Sequence, residues 1–254
     1  MIVYEFPCNE HIRCLLRLET LFGKARYFSR REHWQDHHIA LEAIFDILDV
    51  VGRSDPKVSL VQELERQRQL LLQFRNNPKI SEEALNGSLY EIEQATTALI
   101  ALNGRFGQAL RDNAWLMSLK NKSTLPGGAC GFDLPFYHYW LSMPPHVRKN
   151  FLEQLQKNIL PAQSAIELIL RLLRASGARS ALVAKEGLYQ QTLNGASFQL
   201  ARIELEDHVQ AIPEISANRY ALNIRFILPA EAAAKAQCVS ENVEFFLSFC
   251  SLNA

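Results

Sequence analysis

The chain has 254 residues, 48% of them hydrophobic, so it is long enough for one large domain or two smaller ones around a substantial core. Its 27 basic side chains balance 27 acidic ones, which argues against a general nucleic-acid-binding protein, because such proteins need clustered excess positive charge. No apolar run reaches the ~18–20 residues that span a bilayer, and the first residues, MIVYEFPCNEHIR, lack a signal-peptide pattern, so we expect a cytoplasmic protein with no nucleic-acid or membrane partner.

Residues 9 to about 176 follow a helical hydrophobic period. Asn9 and Asp36 are predicted to cap the first two helices, because their side chains can accept hydrogen bonds from the first free backbone N–H groups. A capping box at Ser59–Gln62 is predicted to open the third helix, and Ser81 the fourth.

The second part of this region is interrupted by glycine and proline. A helix predicted over about 106–120 runs into PGGACGFDLP at 126–135. Two further helices are predicted on either side of Pro144-Pro145, and a last one from Pro161 to about 176. Several amphipathic helices joined by short turns indicate a helical bundle.

Both ends of the chain read as β-strands. The first six residues, MIVYEF, alternate, and from about residue 180 the period changes to two. Two strand-like runs flank Asn194-Gly195, a pair typical of a two-residue type I′ hairpin. The segments RYALNIRFIL and NVEFFLSFC also alternate, as half-buried antiparallel strands do.

These patterns predict an α+β fold, with a helical bundle domain and an antiparallel β-domain formed from both chain ends. The helical domain is predicted over 8–178, and the discontinuous β-domain over 1–7 together with 179–254.

The segment 126–135 has the composition of a functional loop. It lacks the Gly-Lys-Ser/Thr end of a phosphate-binding loop and the GxGxxG pattern that opens a helix after a strand. Cys130 would need a base to act as a nucleophile, and His138 is the nearest in sequence. A turn-rich structural joint is the preferred interpretation, and a cysteine-dependent enzyme using Cys130 and His138 is the alternative.

Other chemistry-bearing residues are weaker candidates. HWQDHH places His33 and His37 one helical turn apart, but Trp34 breaks the HExxH pattern, so a solvated, partly loop-like segment is preferred over a metal site. The five cysteines are scattered and form no CxxC, which favours free thiols in a reducing compartment. We therefore expect no enzyme, no cofactor and no metal.

The arginines are the residues best placed to bind a partner. Arg225 lies within a predicted strand, on the same side as Arg219 and about 20 Å from it. Arg53 follows the helix-terminating Gly52, and Arg17 lies on the first helix. Guanidinium groups bind carboxylates through paired hydrogen bonds, so an acidic segment is one candidate ligand. Ordinary solvated arginines are the other interpretation.

Six stretches, in this order along the chain, resemble the ZapD family of bacterial cell-division proteins. They are FPCNEHIRCLLRLETLF (6–22), ILDVVGR (47–53), ELERQ (63–67), LPGGACGFDLPFYHYWL (125–141), GLYQQTL (187–193) and NIRFI (223–227).

The resemblance implies a cytoplasmic homodimer that is recruited to the division site at mid-cell. There it would bind the C-terminal tail of FtsZ and bundle FtsZ filaments. It implies a basic binding site, which by motif comprises Arg53 and Arg225, with Arg219, Arg17 and His138 as further members. It also implies that the glycine-rich block is a structural joint in a protein without a reaction.

Overall fold

The computed structural model describes residues 1–52, 55–75, 77, 81–193, 198–229 and 237–252. The helices within them are α1 (Glu10–Ser29), α2 (Trp34–Gly52), α3 (Lys57–Leu72), α4 (Glu82–Ala101), α5 (Gln108–Arg111), α6 (Ala114–Ser123), α7 (Pro135–Ser142), α8 (Pro145–Lys157) and α9 (Leu160–Ala175). The strands are β1 (Ile2–Pro7), β2 (Ala178–Ala184), β3 (Leu188–Thr192), β4 (Leu200–Leu205), β5 (Ile212–Ala217), β6 (Ala221–Ile227) and β7 (Val243–Cys250). The predicted α+β class is confirmed.

The chain forms two compact units. The β unit comprises 1–13 with 170–254, and the helical unit comprises 14–169. The changes from one unit to the other fall within α1 and α9. The predicted domain bounds, 8–178 and 1–7 with 179–254, stay a prediction.

Local sequence explains where several helices begin. The Asn9 carboxamide oxygen accepts a hydrogen bond from the Ile12 amide at 2.8 Å, and the Ser81 hydroxyl accepts one from Ala84 at 3.3 Å. Both predicted caps are therefore confirmed, since each satisfies one of the free N–H groups of a first turn.

Two other predicted caps are wrong. α2 begins at Trp34, so Asp36 lies inside its first turn rather than before it. α3 begins at Lys57, and the Ser59 hydroxyl donates to the Pro56 carbonyl instead of capping. Pro56, with its fixed φ, starts α3 before the capping box can form.

The helix predicted over 106–120 is also wrong as a single element. The structure has α5 and α6 there, separated at Asn113. The Asn113 side chain accepts a hydrogen bond from the Leu116 amide at 3.0 Å and thereby caps α6. α5 is preceded by Gly107 in the left-handed region, at φ +72°.

Residues 126–134 of the glycine-rich segment are a series of turns that connects α6 to α7, which begins at Pro135. Gly127 has φ +72°, which favours glycine. A β-carbon on Gly128 would lie 2.0 Å from the Lys122 carbonyl oxygen, so the turn approaches the end of α6 too closely for any side chain. Backbone conformation therefore accounts for Gly127, and close approach of the backbone accounts for Gly128.

The β unit contains two antiparallel sheets. One has the strand order β1-β4-β7-β2 and the other β3-β6-β5. Their inward side chains form a common apolar core that includes Ile203 and Leu247 from the first sheet and Ile224 and Phe226 from the second. β7, the last strand along the described chain, lies between β4 and β2.

The predicted hairpin around Asn194-Gly195 is wrong in its pairing. The two flanking runs are the strands β3 and β4, but β3 pairs with β6, whereas β4 pairs with β1 and β7. Asn194 and Gly195 themselves lie outside the described residues. A tight turn with positive φ occurs instead at Glu186-Gly187, between β2 and β3, with φ +48° and +71°.

The alternation predicted for β6 holds within the strand. Leu222, Ile224 and Phe226 are buried, and the residues between them face outward. The alternation predicted over RYALNIRFIL is longer than the strand, and Tyr220 and Leu228, which lie beyond its two ends, are exposed.

Candidate partner-binding site

The five arginine and histidine positions predicted for a partner site fall in different parts of the chain. Arg53 lies outside the described residues. Arg17 and His138 belong to the helical unit, and Arg219 and Arg225 belong to the β unit. The geometry is therefore described unit by unit.

Arg225 is on the outward side of β6, the central strand of the three-stranded sheet. It lies opposite Leu188 on β3 and Glu214 on β5. Its Nε and Nη2 atoms donate to one oxygen of Glu214, at 2.9 and 2.6 Å. The two side chains are 54% and 47% exposed, so the guanidinium is accessible to an incoming carboxylate although it already has an acidic neighbour.

A groove of about 530 Å³ covers this side of the sheet. We call this surface the outer face; it comprises Leu188, Gln190, Glu214, Ser216, Asn223 and Arg225. Leu188 is 56% exposed, which is high for a leucine. The outer face thus presents an apolar side chain, a cation paired with the Glu214 carboxylate, and uncharged polar groups side by side.

Arg219 is not on the outer face. It lies in the tight connection between β5 and β6, where the Asn218 side chain accepts hydrogen bonds from the amides of Tyr220 and Ala221 at 2.8 and 3.0 Å. The Arg219 guanidinium lies 4.5 Å from the centre of the Tyr220 ring, in cation–π geometry. The prediction that it shares a strand face with Arg225 is wrong, because Asn218 starts a turn at this point.

In the β unit, therefore, the structure does not bring the two predicted arginines together. Arg219 is at the hairpin end of β6 and Arg225 is near the opposite end. Within β6 itself, the four residue steps from Ala221 to Arg225 correspond to about 13 Å. Arg225 is the member with a groove around it.

In the helical unit, Arg17 lies on the exposed side of α1, and His138 is exposed on α7. A β-carbon on Gly131 would lie 3.0 Å from the His138 ring, so Gly131 leaves room for it. Beside His138, three aromatic side chains are exposed by 83, 63 and 61%: Phe132, Phe136 and Tyr139. Sequence reasoning did not single out these rings, although two of them share one helical face by their spacing.

The alternative thiol site is not assembled as a hydrogen-bonded pair. Cys130 is partly buried in the joint, and its amide donates to the Gly127 carbonyl. Within the described part of the chain, no hydrogen bond joins the Cys130 sulfur to the His138 ring, which a base acting on a thiol requires.

His37 is buried rather than solvated, which corrects the interpretation of HWQDHH as a partly loop-like segment. Its Nε2 atom lies 2.8 Å from the Arg31 carbonyl, and its Nδ1 atom accepts a hydrogen bond from Arg148 Nε at 2.8 Å. Burial lowers the pKa of His37, and the Arg148 donor requires a neutral ring. His37 is thus a structural residue of the helical unit.

Over the ranges that the structure describes, no three His, Cys, Asp or Glu side chains are grouped so as to hold a metal ion. Among the same residues, no helix combines the length and the apolar character needed to cross a bilayer.

Comparison with known proteins gives a consistent family. The family model described as "ZapD: Cell division protein" matches residues 16–225. A protein of Dechloromonas aromatica (strain RCB) named "Cell division protein ZapD" is 52% identical over 252 residues, covering 99% of this chain and 100% of the relative. Relatives of the same name from Azoarcus sp. (strain BH72) and Aromatoleum aromaticum are 51% and 48% identical, again covering 99% of this chain, and 100% and 98% of the relatives.

Proposed function

Because this chain belongs to the ZapD family of cell division proteins, we propose that it binds the C-terminal tail of FtsZ and crosslinks FtsZ filaments. In this proposal it is a cytoplasmic homodimer that is recruited to the division site at mid-cell, and it catalyses no reaction. The observation that supports the binding step is the accessible guanidinium of Arg225, flanked by the exposed Leu188. A cation beside an apolar side chain suits a peptide that carries both carboxylates and hydrophobic residues.

Recognition begins with charge. Arg225 donates hydrogen bonds to a carboxylate of the tail, and Arg53, Arg219, Arg17 and His138 are proposed as further residues that contact FtsZ. Charge-assisted hydrogen bonds of this kind are about twice as strong as neutral ones. Binding should therefore weaken as the salt concentration rises above about 0.15 M, where charges are screened over about 8 Å.

Crosslinking follows from self-association. A dimer presents two tail-binding sites, so that one molecule can hold two filaments. Once one site is occupied, the second binds at a raised effective concentration, and two weak contacts give a strong combined attachment. A monomer would decorate filaments without bundling them.

The test is co-pelleting with FtsZ filaments, with and without the FtsZ C-terminal tail. The wild-type protein should pellet only with tailed filaments, and the double variant Arg53→Glu/Arg225→Glu should stay in the supernatant. A matched control reverses two exposed cations elsewhere, one in each unit, as Arg105→Glu/Lys185→Glu, and should pellet like wild type.

Analytical ultracentrifugation gives the oligomeric state of every variant. Full pelleting of a folded, dimeric Arg53→Glu/Arg225→Glu protein would refute the proposed site, and a strictly monomeric wild type would refute crosslinking.

A further inference from the structure

The partner of Arg225 within the chain is a carboxylate. Glu214 faces it across the β5–β6 pair, and both hydrogen bonds from Arg225 reach the same Glu214 oxygen. A tail carboxylate that approaches Arg225 therefore meets a guanidinium that already has a counter-ion. It also meets a like charge within one strand spacing, which is about 4.8 Å.

The opposite neighbour of Arg225 has a different character. Leu188, on β3, completes the cross-strand row Leu188–Arg225–Glu214. The row is thus apolar on one side of the cation and acidic on the other. Within this row, an acidic peptide avoids a like charge only on the Leu188 side.

The next row of the outer face consists of uncharged polar residues. Gln190, Asn223 and Ser216 lie side by side across β3, β6 and β5, and all three are exposed. In the described structure, none of their side chains has a hydrogen-bond partner. Amide and hydroxyl groups at this spacing can bond to the backbone of an extended peptide without selecting its sequence.

We propose that Glu214 is an internal competitor on the outer face, which an acidic peptide must displace from Arg225 in order to bind. This rests on the proposed function and adds a residue that sets its affinity. The peptide lies extended across the outer face, with a carboxylate on Arg225, an apolar side chain against Leu188 and its backbone along the row of Gln190, Asn223 and Ser216.

If Glu214 competes with the peptide, its replacement should strengthen peptide binding, whereas replacement of a residue that contacts the peptide should weaken it. Exposed ion pairs contribute about 0.2–1 kcal/mol, so freeing Arg225 from Glu214 should tighten peptide binding by about 1.4- to 5-fold. Replacement of Glu214 should also make Arg225 more sensitive to salt, because its remaining counter-ions come from solution or from the peptide.

The experiment measures the Kd of a fluorescein-labelled FtsZ tail peptide by anisotropy, with the full-length chain, at 50 and 300 mM salt. The variants are Glu214→Gln, Arg225→Met and the double variant. Glu244→Gln is the matched control, because it removes one exposed carboxylate from the other sheet of the β unit. Thermal unfolding of each variant reports whether its fold is retained, and Glu214→Ser serves as a second test if the glutamine variant is unstable.

We expect Glu214→Gln to bind about 1.4- to 5-fold more tightly than wild type at 50 mM salt, with a smaller gain at 300 mM and little gain in the Arg225→Met background. Equal or weaker binding by folded Glu214→Gln would overturn the inference while leaving the proposed function intact. An equal gain from Glu244→Gln would overturn it too, since the effect would then be one of overall charge. If the wild-type chain does not bind the peptide, the proposed function fails, and the inference with it.

Discussion

The buried Arg148 side chain of α8 joins three parts of the helical unit. Its guanidinium donates to His37 Nδ1 at 2.8 Å, to the Glu32 carbonyl at 2.8 Å and to the Leu141 carbonyl at 2.9 Å, and it also contacts the Met143 carbonyl. Arg148 is 5% exposed and His37 0%. The segment before α2 and the α7–α8 connection are therefore held by one side chain.

Arg148→Met keeps most of the apolar stem and removes every one of these donors. Four acceptors lose their partner, and each buried acceptor left unsatisfied costs about 1–3 kcal/mol. Relief from burying a guanidinium offsets part of this cost. We therefore expect the free energy of unfolding to fall by about 3–4 kcal/mol, and the melting temperature of a unit of this size to fall by about 10 °C.

Urea denaturation followed by tryptophan fluorescence measures this loss selectively. The chain has three tryptophans, Trp34, Trp115 and Trp140, and all of them lie in the helical unit. Arg105→Met is the matched control, because Arg105 is exposed, and it should change the unfolding free energy by less than about 0.5 kcal/mol. A loss below about 1 kcal/mol for Arg148→Met would show that water replaces the lost donors and would refute the reasoning.

Three more outcomes are expected. His37 is neutral when buried, whereas in the unfolded chain it takes up a proton below its ordinary pKa of 6.5, so the free energy of unfolding should decline as the pH falls below about 6.5. The variant His37→Gln should lose less of this free energy between pH 7.5 and 5.5 than the wild type does. A variant with the same pH dependence as the wild type would contradict this. Gly128→Ala should lower the free energy of unfolding by at least about 1–3 kcal/mol, because its β-carbon would lie 2.0 Å from the Lys122 carbonyl oxygen. Gly23→Ala, whose β-carbon would have no atom within 4 Å, should instead stabilise α1 by about 0.5–1 kcal/mol. Urea denaturation compares the two variants, and equal effects would argue against the close approach at Gly128. Cys130→Ser should pellet with FtsZ like wild type, and loss of pelleting by the folded variant would reopen a role for the thiol.

Sequence reasoning succeeded where the determinants are local. The caps at Asn9 and Ser81 depend on hydrogen bonds that reach three residues along the chain, and such bonds are visible in a short window. The alternation within β6 likewise depends on consecutive residues meeting a core on one side only. These features required no knowledge of distant neighbours.

The failures depend on residues that are far apart in sequence. His37 is buried because Arg148, 111 residues later, donates to its ring, and no local pattern shows this. The strands β3 and β4 are adjacent along the chain but pair with partners in separate sheets. Which strands pair depends on the whole set of strands, so the Asn194-Gly195 dipeptide alone does not predict that β3 and β4 form a hairpin.

In the candidate site, too, local features were predictable and long-range neighbours were not. Motifs pointed to Arg225, but its neighbour Glu214 becomes apparent only once β5 is known to pair with β6 in the observed register. The prediction puts Arg219 on a strand face because it extends the alternation of β6 back to residue 219, whereas the Asn218 side chain bonds to the amides of Tyr220 and Ala221 and forms a turn before β6 begins. The overlooked signal was Asn218, because an asparagine side chain can form hydrogen bonds to nearby backbone amides in place of those between strands.

The central position of β7 has a consequence for synthesis on the ribosome. β1, β2 and β4 all precede β7 along the chain, but the sheet that contains them has residues 243–250 between β4 and β2. Until those residues leave the exit tunnel, β2 has no partner in that sheet and a hydrophobic edge of β4 stays open. Nascent chains should therefore depend on chaperone protection of this sheet until β7 has left the exit tunnel, and a premature stop just before β7 should yield an aggregation-prone product rather than a shortened functional one.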